Sequence, residues 1–319
     1  MLVLVGLTLK VAILLSAYNG AGFLKVQLDS LLAQSYTNIE IFVRDDGSVD
    51  DTIQVLCGYK VNIVPASKNL GAKSSFATLL DYSVSNSDAD YFMFCDQDDV
   101  WFSNKVEVTL ARMLKMGAAY GDVPLLVHTD LEIVDEDLNL IAASMWEYEY
   151  ILPNKNTLSR LLIQNTITGC TMMVNRKLAE KCVSIPDGAI MHDWWMGLVA
   201  SYFGKIGYVD EVTIKYRQHG GNAIGAKKFK FGVVLYFLSL CKGLIFRGNT
   251  CLDHLDVNLQ QAKAFLDAFH GELDNKTMRM LNDFIALNSQ GFLKRRITLL
   301  KYGLFKQGFV RNAGLFVRV

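Results

Sequence analysis

Four apolar runs, Val11 to Leu15, Ile39 to Val43, Val61 to Val64 and Tyr91 to Cys95, each close on a cluster of polar, turn-prone residues, and helical patterns lie between them. Leu24, Leu28, Leu31 and Leu32 fall on one helical face, as do Phe76, Leu79, Leu80 and Val84. Apolar runs without polar alternation suit strands buried on both faces, and strands that alternate with helices pair in parallel. The stretch therefore predicts an α/β fold with a mostly parallel, helix-covered sheet. Ligands of such sheets bind beyond the carboxyl ends of the strands. Here those ends carry Ser16-Ala17-Tyr18-Asn19, Arg44-Asp45-Asp46-Gly47-Ser48, Ala66-Ser67-Lys68-Asn69-Leu70-Gly71 and Asp96-Gln97-Asp98-Asp99. A ligand crevice explains four such ends more economically than four unrelated loops.

The fourth end is the most specific. Three carboxylates almost side by side repel one another, and a divalent cation supplies the missing charge; hard oxygen ligands select Mg2+ or Mn2+ over zinc. The competing reading is a solvated acidic turn that caps the next helix; such a cap suits Asp99 as well as a ligand role does, so Asp99 is given no metal role. Ser48 and Asp51 are spaced as a capping box for a helix after the second strand.

Beyond Leu110 the alternation loosens, with strands expected at Leu125 to Thr129, Cys170 to Val174, Ile206 to Val209 and Val212 to Tyr216, and a helix opening near His192. From Lys227 only helical periodicity remains, near Phe231 to Phe246, Leu252 to Phe269, Lys276 to Leu287 and Phe292 to Lys306. This change of period and the Gly220-Gly221 break predict a sheet domain over 1–225 and a helical region over 226–319.

Lys+Arg and Asp+Glu both number 32, so no global field attracts nucleic acid. Locally the balance breaks. After Asp283 there is no acid, while Lys294, Arg295, Arg296, Lys301, Lys306, Arg311 and Arg318 are interleaved with Leu, Phe and Ile, a pattern suited to an anionic membrane surface. The apolar start, Met1 to Leu15, lacks a basic leader and is interrupted by Lys10, and Phe231 to Phe246 is too short to span a bilayer, so a cytoplasmic protein held peripherally at the inner face is expected. Six scattered cysteines without metal spacing read as reduced core thiols.

Gly20-Ala21-Gly22 after the first strand and Asp45 at the end of the second also suit an NAD(P)-dependent oxidoreductase, but Lys25 stands where the third glycine of that fingerprint belongs. A noncatalytic, membrane-associated scaffold with a nucleotide fold is the other alternative. In combination and order, Leu15-Ser16-Ala17-Tyr18-Asn19-Gly20, Arg44-Asp45-Asp46-Gly47-Ser48 with Asp51-Thr52, Asn69-Leu70-Gly71, Asp96-Gln97-Asp98-Asp99-Val100-Trp101 with Lys105, Thr168-Gly169-Cys170, His192-Asp193-Trp194-Trp195 and Tyr216-Arg217-Gln218-His219-Gly220-Gly221-Asn222 resemble something else. The chain is similar, over its first two thirds, to family 2 glycosyltransferases of the GT-A fold, and within them to rhamnosyltransferase-like members that build bacterial surface polysaccharide such as O-antigen.

The resemblance implies an inverting, metal-dependent hexosyltransferase. Asp96 and Asp98 match its DxD, which holds ribose and a Mn2+ or Mg2+ ion on the donor diphosphate, and His219 matches a further ligand of that ion. Asp45 matches a base-binding acid; Ser16, Tyr18 and Asn19 match the loop around base and ribose, with Asn69 and Lys73 as further nucleotide contacts. Asp193 matches the catalytic base. Apart from the resemblance, Trp101, Trp146, Trp194 and Trp195 are candidates for a sugar platform, with core packing the more common use of aromatic residues near a helix start. The implied donor is dTDP-L-rhamnose, with a UDP-sugar as the alternative, and the implied acceptor is a saccharide or lipid-linked oligosaccharide.

Overall fold

The computed structural model describes residues 9–66, 68–220 and 255–319. The expected helix at Phe231 to Phe246, the Gly220-Gly221 break and the boundary at 225 lie wholly or partly outside these residues, as do Met1 to Thr8, Cys241 and Cys251.

The predicted alternation is present: β1 (Val11–Ala17), α1 (Ala21–Leu32), β2 (Ile39–Asp45), α2 (Thr52–Cys57), β3 (Asn62–Ile63), α3 (Gly71–Asn86) and β4 (Tyr91–Asp96). Then follow β5 (Val100–Trp101), α4 (Lys105–Tyr120), β6 (Leu125–Val134), β7 (Leu140–Ala142), α5 (Met145–Glu149), α6 (Leu158–Leu161), β8 (Met172–Asn175), α7 (Arg176–Lys181), α8 (His192–Phe203) and β9 (Lys205–Arg217). The sheet runs β3-β2-β1-β4-β8-β6-β9-β5, with β7 paired to β6. The pairings among β1 to β4 are parallel, whereas β8 is antiparallel to both β4 and β6.

The chain winds outward from β1 through β2 to β3, then returns to place β4 on the other side of β1. That reversal leaves a crevice at the carboxyl ends of β1 and β4, and the register sets Ser16 beside Asp96 and Ala17 beside Asp45. The two expected strands at 206–216 are one strand, β9, which runs parallel to β6 past register shifts near Asp130. Its far end pairs with β5, Val100 opposite Lys215 and Trp101 opposite Ile214.

One sheet face is packed by α1, α2 and α4 through residues such as Leu24, Leu28, Leu56 and Met113. The other face is packed by α3, α7 and α8 together with the carboxyl-terminal helices Asp256–Phe269, Asn275–Ile285, Phe292–Tyr302 and Phe309–Arg318. Phe265, Phe284, Leu299 and Leu315 belong to the same buried cluster as Phe92, Phe94 and Trp195, so these helices continue the core of the sheet.

The expected helix from Phe292 to Lys306 stops earlier. Gly303 adopts φ 64°, a left-handed cap that favours glycine, and the chain restarts after Gly308 as a helix the sequence pattern did not reveal. Among the described cysteines Cys95, Cys170 and Cys182 are buried, Cys57 is exposed, and all four are free thiols. No described helix is long and apolar enough to cross a membrane.

Candidate active site

A cavity of about 610 Å3 opens over the switch point, lined by Ser16, Tyr18, Asp46, Asn69, Asp96, Gln97 and Asp98 on one side and by Asn165, Thr166, Thr168, Asp193 and Trp194 on the other. Of the residues singled out from sequence, Ser16, Tyr18, Asn69, Asp96, Asp98 and Asp193 thus meet in one space. The others stand behind it. Asn19 (φ 47°) accepts from the Val49 amide at 2.9 Å, His219 hydrogen-bonds Asp98, and Lys73 donates to the carbonyls of Asp187 and Ala189 at 2.7 and 3.1 Å. Lys73 therefore clamps the loop that leads into Asp193.

The paired carboxylates after β2 are held by the turn they belong to. Asp45 accepts from the amides of Gly47 and Ser48 and from the Ser48 hydroxyl. Asp46, ion-paired to the buried Arg44, accepts from the Leu70 and Gly71 amides at 2.8 Å each, so it satisfies the orphan donors at the start of α3. The capping box expected from Ser48 and Asp51 does not form, because Ser48 is engaged with Asp45. Asp50 instead accepts from the Thr52 and Ala21 amides and ties α2 to α1.

The acidic turn after β4 differs in one assignment. Asp99 is fully buried and caps no helix, since α4 begins at Lys105 with Asn104 before it. Its Oδ1 accepts from the Arg217 amide at 3.2 Å and its Oδ2 is buried without a partner. Asp96, Asp99 and Cys170 bring one ligand atom each within 4.8 Å of one another. Burial together with Asp98 and Asp193 pushes Asp96 up to about 7, and burial beside Asp96 and Asp98 raises Asp99 as well. Burial likewise keeps the Cys170 thiol protonated.

Beneath the turn, the fully buried Lys105 lies 4.6 Å over the Trp101 ring with no hydrogen bond to its Nζ, and burial pushes it down to about 8. A carboxylate cluster that resists ionisation, with an unpartnered oxygen and one buried ammonium for compensation, fits a divalent cation. Arg217 Nε donates to the Asp98 carbonyl at 2.8 Å and His219 Nε2 lies 2.7 Å from Asp98 Oδ2, so the end of β9 fixes the outer carboxylate.

Across the cavity, Asp193 opens α8. Its Oδ2 accepts from Asn165 Nδ2 at 3.1 Å and its Oδ1 from the Trp194 amide, while burial pushes it up to about 6. Of the four tryptophans only Trp194 lines the cavity. Trp195 is packed on Phe265 and Phe269, Trp146 on His128 and Tyr208, and Trp101 lies under Lys105, so these three are core residues and not a sugar platform. His192, given no role from sequence, is a neutral slab against Phe76 and Phe94, pushed down to about 3 by burial.

Three residues escaped sequence reasoning. Gln97 donates to the Tyr18 carbonyl and accepts from its amide, holding the β1 loop, and a Cβ on Gly20 would sit 2.0 Å from its Oε1. Asn165 and Thr166 lie in an irregular segment with no periodic signal.

The fold is that of the GT-A glycosyltransferases. The chain belongs to glycosyl transferase family 2, whose profile matches residues 12–183. It is 28% identical over 211 residues to an uncharacterized glycosyltransferase of Rickettsia typhi, covering 66% of this chain and 64% of that protein, so it spans less than two thirds of that relative's length. It is 25% identical over 270 residues to the dTDP-rhamnosyl transferase RfbG of Shigella flexneri, covering 79% of this chain and 89% of that one. The UDP-Glc:alpha-D-GlcNAc-diphosphoundecaprenol beta-1,3-glucosyltransferase WfgD of Escherichia coli is 27% identical over 172 residues, covering 53% of this chain and 61% of that one. Among solved structures, S. aureus TarS in complex with UDP-GlcNAc superposes with a TM-score of 0.52 at 13% identity, covering 93% of both chains.

Proposed function

We propose that the chain is an inverting glycosyltransferase that moves L-rhamnose from dTDP-L-rhamnose to a saccharide or lipid-linked acceptor in the assembly of a surface polysaccharide. The observation that carries the mechanism is the placement of Asp193 and Asp96 in the walls of one cavity. Asp193, raised to about 6 by burial, is ionised at neutral pH yet basic enough to take a proton, which suits a general base. It accepts the proton of the acceptor hydroxyl as that oxygen bonds to the anomeric carbon and the bond to the diphosphate breaks. Asn165 holds one carboxylate oxygen, leaving the base aimed into the cavity.

On the donor side Ser16, Tyr18 and Asn69 line the space for nucleoside and ribose, and Asp45 and Asn19 shape the loops around it. Asp96 and Asp98, the latter steadied by His219, would hold a Mn2+ or Mg2+ ion. Such an ion stabilises the charge that develops on the departing diphosphate. Rhamnose is supported by the likeness to RfbG, which extends over most of both chains. A UDP-sugar donor is the second reading, supported by the likeness to WfgD.

Thermal shift with a panel of nucleoside diphosphate sugars in Mn2+, followed by transfer assays with the best binder, tests both. Stabilisation by the dTDP-sugar over its UDP counterpart supports rhamnose. No metal-dependent response to any pyrimidine nucleotide sugar overturns the proposal.

A further inference from the structure

The helix Phe292–Tyr302 is apolar on two opposite sides. Thr298 and Leu299 face the core and are buried. Leu293, Ile297 and Leu300, spaced at i, i+4 and i+7, form a stripe on the other side and are between 60% and 71% exposed. At 100° per residue, Arg296 and Phe292 border this stripe on one flank and Lys294 and Lys301 on the other. The Arg296 guanidinium lies 3.4 Å over the Phe292 ring, which is itself exposed. In the next helix Phe309 is 87% exposed.

From this surface we infer an anionic lipid bilayer as its partner. A water-facing stripe of three aliphatic residues has no purpose in the core already formed by the opposite side. Lys301 is ion-paired to Asp283 at 3.2 Å, which leaves Lys294 and Arg296, with no acidic residue later in the sequence, as the flanking cations that match negatively charged headgroups. The helix lies along the interface with Leu293, Ile297 and Leu300 in the acyl boundary and the basic residues at headgroup level. An acidic protein partner would meet the flanks equally well but leaves the aliphatic centre unexplained.

The placement relates the surface to the cavity. The chain after this helix is bound to the cavity rim: Gln307 donates through its amide to Gln164 Oε1 at 2.9 Å and through Nε2 to the Leu152 carbonyl at 3.0 Å, and Arg311 donates to the Tyr150 carbonyl at 3.2 Å. Glu149, Ile151 and Asn165, neighbours of these residues, line the cavity. Exposed Tyr150 and Leu152 add apolar surface at that rim. The rim of the cavity is thus tied directly to the chain that follows the docking helix, which suits an enzyme whose acceptor is lipid-linked. The docking itself does not rest on the transferase reading.

The test is flotation of the intact chain with vesicles of phosphatidylglycerol and phosphatidylcholine, against phosphatidylcholine alone, with no nucleotide sugar or acceptor present. Binding to the anionic vesicles only is expected. Leu293→Glu with Ile297→Glu should abolish it while leaving Tm unchanged, because both side chains are already in water, and Lys294→Gln should weaken it roughly fivefold. Absence of binding to anionic vesicles, or binding indifferent to the paired substitution, overturns the inference. A concentration-dependent dimer that the same pair disrupts, without vesicle binding, also overturns it and assigns the face to a second copy of the chain.

Discussion

Replacing Asn165 with Ala removes the side-chain donor that holds Asp193 Oδ2 at 3.1 Å and leaves the buried carboxylate with the Trp194 amide on its other oxygen. The lost bond favoured the charged form, so Asp193 becomes harder to ionise. A hydrogen bond to a charged group contributes about 1.5–3 kcal/mol, and 1.36 kcal/mol corresponds to one pH unit, so the carboxyl should move from about 6 toward roughly 7–8. The sign follows from the role: a base must be ionised, so activity falls as pH drops through its pKa, and raising that pKa moves the acid limb upward. In kcat/KM, which reports the free enzyme, the variant should lose roughly 5- to 50-fold at pH 6 and recover to within about threefold above pH 9. The assay is a pH profile of nucleoside diphosphate release at low donor concentration. An equal loss at every pH, with the acid limb unmoved, would refute the reasoning and reduce Asn165 to a packing residue.

Other substitutions and conditions probe the remaining parts. Asp193→Asn should cut transfer by about 10^2- to 10^4-fold while donor affinity, read by calorimetry, stays within a few-fold. Protons compete with a cation for Asp96, so Mn2+ affinity should hold above pH 7 and weaken as pH falls through about 7, measured by titration calorimetry across pH. Gly169→Ala places a Cβ 2.9 Å from His192 Nε2, and a fully packed slab with little room should cost about 1–3 kcal/mol, seen as a lowered denaturant midpoint. Phe284→Ala, in the core shared by sheet and carboxyl-terminal helices, should cost about 3–5 kcal/mol and leave a single unfolding transition; two separated transitions would contradict a shared core.

The winding of the first four strands was legible because each is an unbroken apolar run ended by turn residues, and the register then follows from parallel pairing. Asp193 could be placed at the start of α8 because the apolar stretch from Met196 has an evident helical onset. Less was legible where long-range partners decide. β5 is two residues long and exists only because β9 pairs with it, and no local pattern marks it. Asp99 looks like any cap in sequence; that it is buried beside Cys170 and Lys105 depends on where β4, β9 and the Gly169 turn meet. Ser48 is spaced as a cap yet serves Asp45, and nothing local shows that Asp46 serves amides 24 and 25 positions away. Gln97, Asn165 and Thr166 act from loops, where a side chain's target carries no periodicity.

The bond from the Arg217 amide to Asp99, and those from Arg217 and His219 to Asp98, join positions 118 to 121 residues apart. Loops that long close late, because chain entropy must be surrendered before the contact returns anything. A nascent chain that has emerged only as far as α8 already holds β1 to β4 in sequence, yet it lacks the strand end that organises its acidic turn. Under the proposed function, competence to hold a donor is acquired only once the end of β9 is in place, and fraying there is enough to remove it while the remaining strands stay paired.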